Sequence, residues 1–271
     1  MTYDLIAFDM DGTLLDSRKR VLSSSIEAIG QAAHAGKDIA LCSGRCPVMV
    51  ALYADELPHV RYAICDSGAV LFDLSANRVL SETNIEHELI GRVVEACAGE
   101  DAMPEAFSGR DFFCQSSQLG SMGRYQMGPY EGMYAATCTP VDSIRAVVLD
   151  PDTPFQKLGL HFTTTEARRR VRARLADLPL EVIDSETTSI ELQAAGVDKA
   201  AGLLALAELL GIAPEATIAV GDADNDLAMV RSAGIGVAMG NANERVRAAA
   251  NASVADNDHG GCAEAIHTYL L

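Results

Sequence analysis

Short apolar runs alternate with helical periodicity at both ends of this chain, and that alternation leaves few folds open. Residues 4 to 8 (DLIAF) are too short for a helix and are bounded by polar residues, which predicts a buried strand. From Ser23 to Ala35, Ile26, Ile29 and Ala33 share a helical face, with Ser23 or Ser24 as a cap and Gly36 as a stop. DIALC (38 to 42) is the next strand, Pro47 opens a helix through PVMVALYADEL, and YAIC (62 to 65) is a third strand. The C-terminal part resumes the pattern. Lys199 to Leu210 is a helix with Leu203, Leu206 and Leu210 on one face and Gly211 as its end. TIAV (217 to 220), DNDLAMVRSA, IGVAM and NERVRAAA then alternate strand and helix, and a last helix covers about 261 to 270. Strand and helix in alternation spell a mainly parallel, doubly wound sheet with helices on both faces, the Rossmann-like three-layer α/β/α architecture.

The middle of the chain breaks the rhythm. After a hairpin in AVLFDLSANRVLSE, residues 83 to 186 read as a separate α/β unit inserted between core segments 1 to 82 and 187 to 271. RDFFCQ, QKLGLHF, LEVID and TSIELQ are strand-like. Thr163 with Glu166 forms a T-x-x-E capping box before TEARRRVRARLADL, whose arginines are expected on a solvated face. Residues 116 to 143, rich in Gly, Ser and Met, carry no clear period.

Composition excludes several functions. With 21 Lys+Arg against 38 Asp+Glu, the 271-residue chain carries a formal charge of -17. Phosphate backbones and anionic lipid surfaces call for clustered cations, so nucleic acid and membrane are not expected partners. No apolar stretch approaches the roughly 18 residues that span a bilayer, and the first residues lack the basic region of a secretory leader. Seven cysteines, an odd number without a CxxC pair, are expected as reduced thiols in a cytoplasmic protein. The six histidines show no ligand spacing.

In a parallel sheet, ligands bind beyond the carboxyl ends of the strands. Asp9 and Asp11 follow the first strand and Ser43 the second. Asp222 follows TIAV, with Asn225 and Asp226 opening the next helix, and Lys199 opens the helix before that strand. Carboxylates gathered at one edge repel and raise one another's pKa. A hard divalent cation such as Mg²⁺, which prefers oxygen ligands, removes that conflict. A metal held by carboxylates beside a lysine and a serine hydroxyl describes a phosphate site, and the Gly12 and Ser43-Gly44-Arg45 turns would add backbone N–H donors. One carboxylate could then attack phosphorus while the other protonates the leaving alkoxide. Asp222, Asp224 and Asp226 imitate the start of a calcium loop, but Leu227 and Ala233 stand at its sixth and twelfth positions, where Gly and Glu are needed. Gly234, Gly236 and Gly240 lack the spacing of a dinucleotide fingerprint.

DMDGT (9 to 13), SGR (43 to 45), Lys199 and GDADND (221 to 226) resemble, in order, the four motifs of the haloacid dehalogenase superfamily. The long insert, ICDSGAV and AMGNANERVRAAA are similar to its Cof-type sugar-phosphatase branch. The resemblance implies a Mg²⁺-dependent phosphatase acting on a small phosphorylated metabolite, with sugar phosphates the first class to consider. It implies Asp9 as nucleophile and metal ligand, and Asp11 as general acid/base with its carbonyl on the metal. Asp222 would be a further ligand, Asp226 would orient metal-bound water, and Asn225 would stand near the phosphate or metal. Ser43, Gly44 and Lys199 would hold the phosphoryl oxygens. An acid two residues after the nucleophile goes with phosphatases and mutases in this family, so a phosphomutase is the alternative and a non-catalytic binding protein a more distant one. The chain departs from the branch at Ser67, where asparagine is common, and at Arg247, where lysine is common. Those two residues and Arg45 are candidate substrate or supporting contacts.

Overall fold

The computed structural model describes residues 2–271. In chain order the strands are β1 (Leu5–Phe8), β2 (Asp38–Cys42), β3 (Tyr62–Cys65), β4 (Val70–Asp73) and β5 (Arg78–Glu82), then β6 (Ala102–Ser108), β7 (Asp111–Gln115), β8 (Thr139–Val141), β9 (Lys157–Phe162), β10 (Leu180–Glu186) and β11 (Ser189–Ala194), and finally β12 (Thr217–Gly221), β13 (Ile235–Ala238) and β14 (Ala252–Ser253). They build two sheets in two compact units. Among the described residues the first unit takes 2–45, 50–81 and 198–271, and the second takes 46–49 and 82–197.

The first unit has an eight-stranded sheet in the order β14-β13-β12-β1-β2-β3-β4-β5. Pairing is parallel from β14 through β3 and antiparallel between β3 and β4. β1 is central and buried on both faces, so its four residues are all apolar rather than alternating. Ile6 and Phe8 pack with Ala28, Ile29, Ala32 and Ile266 of the helices on one face. Leu5 and Ala7 pack with Leu203, Leu206 and Ala207 on the other, which makes the three layers. The helix Lys199–Leu210 is capped by Asp198, whose carboxylate accepts from the Ala201 N–H, and is ended by Gly211 at φ 69°. Neither Ser23 nor Ser24 caps the helix Ser23–His34, because both lie inside its first turn and Leu22 occupies the cap position. The helix from Pro47 ends at Val50 and continues only as a 3₁₀ turn to Tyr53, short of the expected length.

The second unit is a six-stranded sheet in the order β10-β11-β9-β6-β7-β8, antiparallel except for the β7–β8 pair. It extends past residue 186 to Val197, because β11 pairs with β9 and β10 and so belongs to this sheet and not to the core. The helices His87–Ala96, Ile144–Val148 and Thr165–Arg174 pack their apolar residues on one face of the sheet. Thr164, one residue later than expected, caps the last of these by accepting from Ala167 N. Its arginines lie on a largely exposed face, as expected, and form ion pairs there. Arg170 and Arg174 clasp Glu100 at 2.7 and 3.1 Å, and Arg168 and Arg172 lie 3.4 and 3.5 Å from Asp184. All seven cysteines are free thiols, and among the described residues no helix is long and apolar enough to cross a membrane.

Candidate active site

Register in the parallel sheet brings the motif residues to one edge. Phe8 is level with both Leu41 and Val220, so Asp9, Ser43 and Asp222 all emerge just past the ends of adjacent strands. Backbone bonds carry that order one residue further, with Asp9 N donating to Val220 O and Ser43 N to Ile64 O.

Lys199 is the centre of the group. Its side chain is 1% exposed, and its Nζ donates to Asp9 Oδ1 at 2.5 Å and to Asp226 Oδ1 at 2.7 Å. Burial alone would depress the lysine, but the Asp226 and Asp9 charges hold its pKa well above the usual value. Asp226 Oδ2 is already used, accepting from the backbone N–H groups of Asp222 and Ala223 at 2.9 and 3.0 Å. Asp226 therefore shapes the turn and anchors the lysine. Asp222 Oδ1 accepts from Thr13 Oγ1 at 2.9 Å.

One carboxylate oxygen from each of Asp9, Asp222 and Asp226 lies within 4.8 Å of the others. Burial, opposed by Lys199 and reinforced by Asp226 and Asp222, pushes the Asp9 pKa up to about 7. Burial, with Asp226 nearby, raises Asp222 to about 6 against the opposing Thr13 hydrogen bond. A single lysine thus leaves the acids under-compensated, and an all-oxygen donor set of this kind fits a hard divalent cation such as Mg²⁺. Gly12 keeps the space beside Asp222 open. It sits at φ +85°, and a Cβ there would come 2.5 Å from Asp222 Oδ2.

The Asp11 carboxylate is not among the three clustered oxygens, although its charge reaches Asp222 and helps to raise that carboxyl. Both Asp9 and Asp11 follow the end of β1 at Phe8. Asp9 is buried, whereas the Asp11 side chain is 44% exposed. Arg45 Nη2 donates to both Asp11 oxygens at 3.1 and 3.0 Å, and Lys19 Nζ donates to Oδ1 at 2.6 Å. Burial would raise this carboxyl, but the Arg45 charge and the Lys19 contact hold it below the ordinary aspartate value. Arg45 also donates to Tyr53 Oη at 3.1 Å.

Ser43 is buried, and its carbonyl accepts from Ser67 N at 2.9 Å. Gly44 lies in the turn between Ser43 and Arg45. Asp66 and Ser67 both have left-handed backbones, φ 48° and 53°, so strain is held next to the Ser43 turn. Asn225 and Arg247 are exposed, and neither forms a hydrogen bond with the acidic cluster. On the helix Glu244–Ala249 it is Val246 that takes the buried position, which leaves Arg247 outward. Asp224 is a surface residue paired with Arg245.

Other residues join the site without having been singled out. Thr13 fixes Asp222, Asn241 Nδ2 donates to Gly12 O at 2.8 Å, and Asn243 N donates to Asp222 O at 3.0 Å. Thr13 lies in DMDGT, and Asn241 and Asn243 lie in AMGNANERVRAAA, so those segments carry their signal in the sequence. Lys19 had none.

Comparison with known proteins identifies the family. The description of haloacid dehalogenase-like hydrolases matches residues 6–266. The pyridoxal phosphate phosphatase YbhA of Escherichia coli is 29% identical, with 100% of each chain covered. The 5-amino-6-(5-phospho-D-ribitylamino)uracil phosphatase YcsE of Bacillus subtilis is 28% identical, covering 98% of this chain and 96% of its own. Among solved structures, a haloacid dehalogenase-like hydrolase from Bacteroides thetaiotaomicron superposes with a TM-score of 0.85 at 27% identity, covering 98% of this chain and 99% of its own. With a family match over nearly its whole length and the acid cluster at the strand ends, the chain belongs to the haloacid dehalogenase-like hydrolases, in their Cof-type branch of phosphatases.

Proposed function

We propose that the protein is a Mg²⁺-dependent phosphatase that hydrolyses small phosphorylated metabolites through an aspartyl-phosphate. The observation that carries this reading is the buried Lys199 bridging Asp9 and Asp226, with Asp222 alongside, at the carboxyl edge of a parallel sheet. Asp9 and Asp222, with the Asp11 carbonyl, would hold the ion, and Asp226 would steer its surroundings. Bound Mg²⁺ would supply charge neutralisation for the phosphoryl oxygens and for the carboxylates themselves. Asp9 then attacks phosphorus with one carboxylate oxygen as the ester C–O–P bond to the leaving alkoxide breaks. Asp11, held as a carboxylate by Arg45 and Lys19 in the free site, would take up a proton before giving one to that alkoxide, and would then take one back from the water that hydrolyses the acyl phosphate. Lys199, Ser43 and the Gly44 backbone hold the phosphoryl oxygens in place. The inserted unit acts as a cap that selects the leaving group. Relatives named for pyridoxal phosphate and for a phosphoribitylamino-uracil support a small phosphate ester as substrate, and the free thiols support a reducing, cytoplasmic setting.

The test is a phosphate-release screen over sugar phosphates, nucleotides and pyridoxal phosphate, with and without Mg²⁺, on the wild type and Asp9→Asn. Metal-dependent release that Asp9→Asn abolishes is expected. Release undiminished in Asp9→Asn would remove Asp9 as nucleophile. A requirement for a bisphosphate activator, with little free phosphate formed, would move the reading to a phosphomutase.

A further inference from the structure

The helices on the second sheet do not close over it completely. His87–Ala96 and Ile144–Val148 both pack on the face that Leu158 and Leu160 of β9 present, and the second of them is only five residues long. A groove of about 230 Å³ is left, lined by Val93, Ile144, Val148, Leu158 and Leu160, all of them buried. Protein interiors leave few voids larger than a water molecule, and an apolar cavity of about 150 Å³ takes up benzene. Cys97 also lines the groove, and burial pushes its thiol up to about 12, so at neutral pH it adds an uncharged surface to the wall.

The charge at this groove differs from that of the chain as a whole, which is -17. Arg145 is one of the lining residues, is exposed, and has no carboxylate partner among the described residues. Glu100 lines the groove too, but Arg170 and Arg174 clasp it at 2.7 and 3.1 Å, so its charge is outnumbered. Glu105 turns its carboxylate away to His161 and Tyr134. An apolar wall beside one unpaired guanidinium is complementary to a molecule with an apolar body and a single negative end.

We propose that this groove is a second binding site, separate from the strand-end acids, for a small apolar carboxylic acid with one ring or a short alkyl chain. The ring or chain lies against Val93, Val148, Leu158 and Leu160, and the carboxylate meets Arg145. The site does not depend on the phosphatase reading, because it shares no residue with the acid cluster.

The experiment follows the Val, Leu and Ile methyl groups by ¹H–¹³C NMR while 3-phenylpropanoate is added, with 3-phenylpropan-1-ol as the uncharged counterpart. The wild type is expected to shift at Val93, Val148, Leu158 and Leu160, with a Kd of about 1 mM or tighter for the acid. Arg145→Gln should weaken the acid by about 5- to 10-fold and leave the alcohol nearly unchanged. Ala98→Trp, at an exposed lining position, should block both ligands without disturbing the fold. No shift at these methyls with 10 mM acid (about ten times the expected Kd), or shifts that Ala98→Trp leaves intact, would overturn the site. Equal affinity for acid and alcohol, or for wild type and Arg145→Gln, would overturn the ligand class. Shifts at the same methyls on raising the protein concentration alone would make the groove an interface between copies of the chain, and would also overturn the proposal.

Discussion

Replacing Lys199 with methionine tests the site most directly. Methionine keeps most of the volume of the side chain but removes the cation that Asp9 and Asp226 share. Both acids are buried, Asp9 at 5% and Asp226 at 0% exposure, and Asp222 stands close by, so the variant faces three clustered carboxylates with no counter-charge from lysine. Breaking a buried ion pair by removing one member costs about 3–5 kcal/mol. For a chain of this size that corresponds to a fall of roughly 10 °C in the melting temperature of the core unit. The loss depends on pH with a definite sign. Lys199 lowers the Asp9 pKa, so its removal matters when Asp9 is ionised and is relieved when the carboxyls take up protons. Thermal unfolding in EDTA should therefore show the full deficit at pH 8 and a smaller one at pH 5.5. In the double variant Lys199→Met/Asp226→Asn, part of the loss should return, with a coupling of about 1–3 kcal/mol. With Mg²⁺ present, phosphate release should fall by about 10² or more, since Lys199 would face the phosphoryl oxygens. The reasoning fails if Lys199→Met melts within about 2 °C of the wild type at pH 8, or if its deficit simply adds to that of Asp226→Asn.

Two further outcomes are expected. Asp9 and Asp222 are raised from 3.8 to about 7 and about 6 in the folded chain. Their contribution to metal-free stability is complete below the unfolded value and is lost as pH rises through the folded ones, so the rise in melting temperature on adding Mg²⁺ should be larger at pH 7.5 than at pH 5.5. A Mg²⁺ effect of equal size at both would contradict it. Gly12→Ala should weaken Mg²⁺ binding at least about 10-fold, because the new methyl would occupy the space beside Asp222 Oδ2 and the backbone is left-handed there. Titration calorimetry showing unchanged affinity would refute that.

The core was legible because β1, β2, β3 and β12 are continuous apolar runs, each followed by polar residues that buried strands exclude. The motif acids stood out for the same reason, as charge placed where the pattern demands termination. The insert was harder to read. In β6, Pro104 and the buried Glu105 interrupt any apolar alternation, and the strand is held by pairing with β7 and β9 instead. Glu105 is stabilised by His161 at 2.9 Å and by Tyr134, partners 56 and 29 residues away. The arginines of the helix Thr165–Arg174 lie on an open face as expected, but their pairing with Glu100, some seventy residues earlier, has no signal in the local spacing. Lys19 was invisible because its contact depends on a turn held by Asp16 rather than on spacing. Asn225 and Arg247, both exposed, are motif residues whose side chains the protein's own acidic cluster does not engage.

The position of β1 also governs how the protein is made. β1 is the middle strand of the core, yet one of its two neighbours, β12, begins more than two hundred residues later. During synthesis the N-terminal segment therefore emerges with one edge of its most apolar strand unpaired, and it stays so until Thr217–Gly221 has left the ribosome. The insert, whose strand pairings are all internal, can complete its own sheet in the meantime. The core is thus the last part to close, and Asp9 meets Lys199 and Asp226 only then. A nascent chain stalled before residue 217 should present that open edge to chaperones, and the acid cluster forms only in chains translated beyond it.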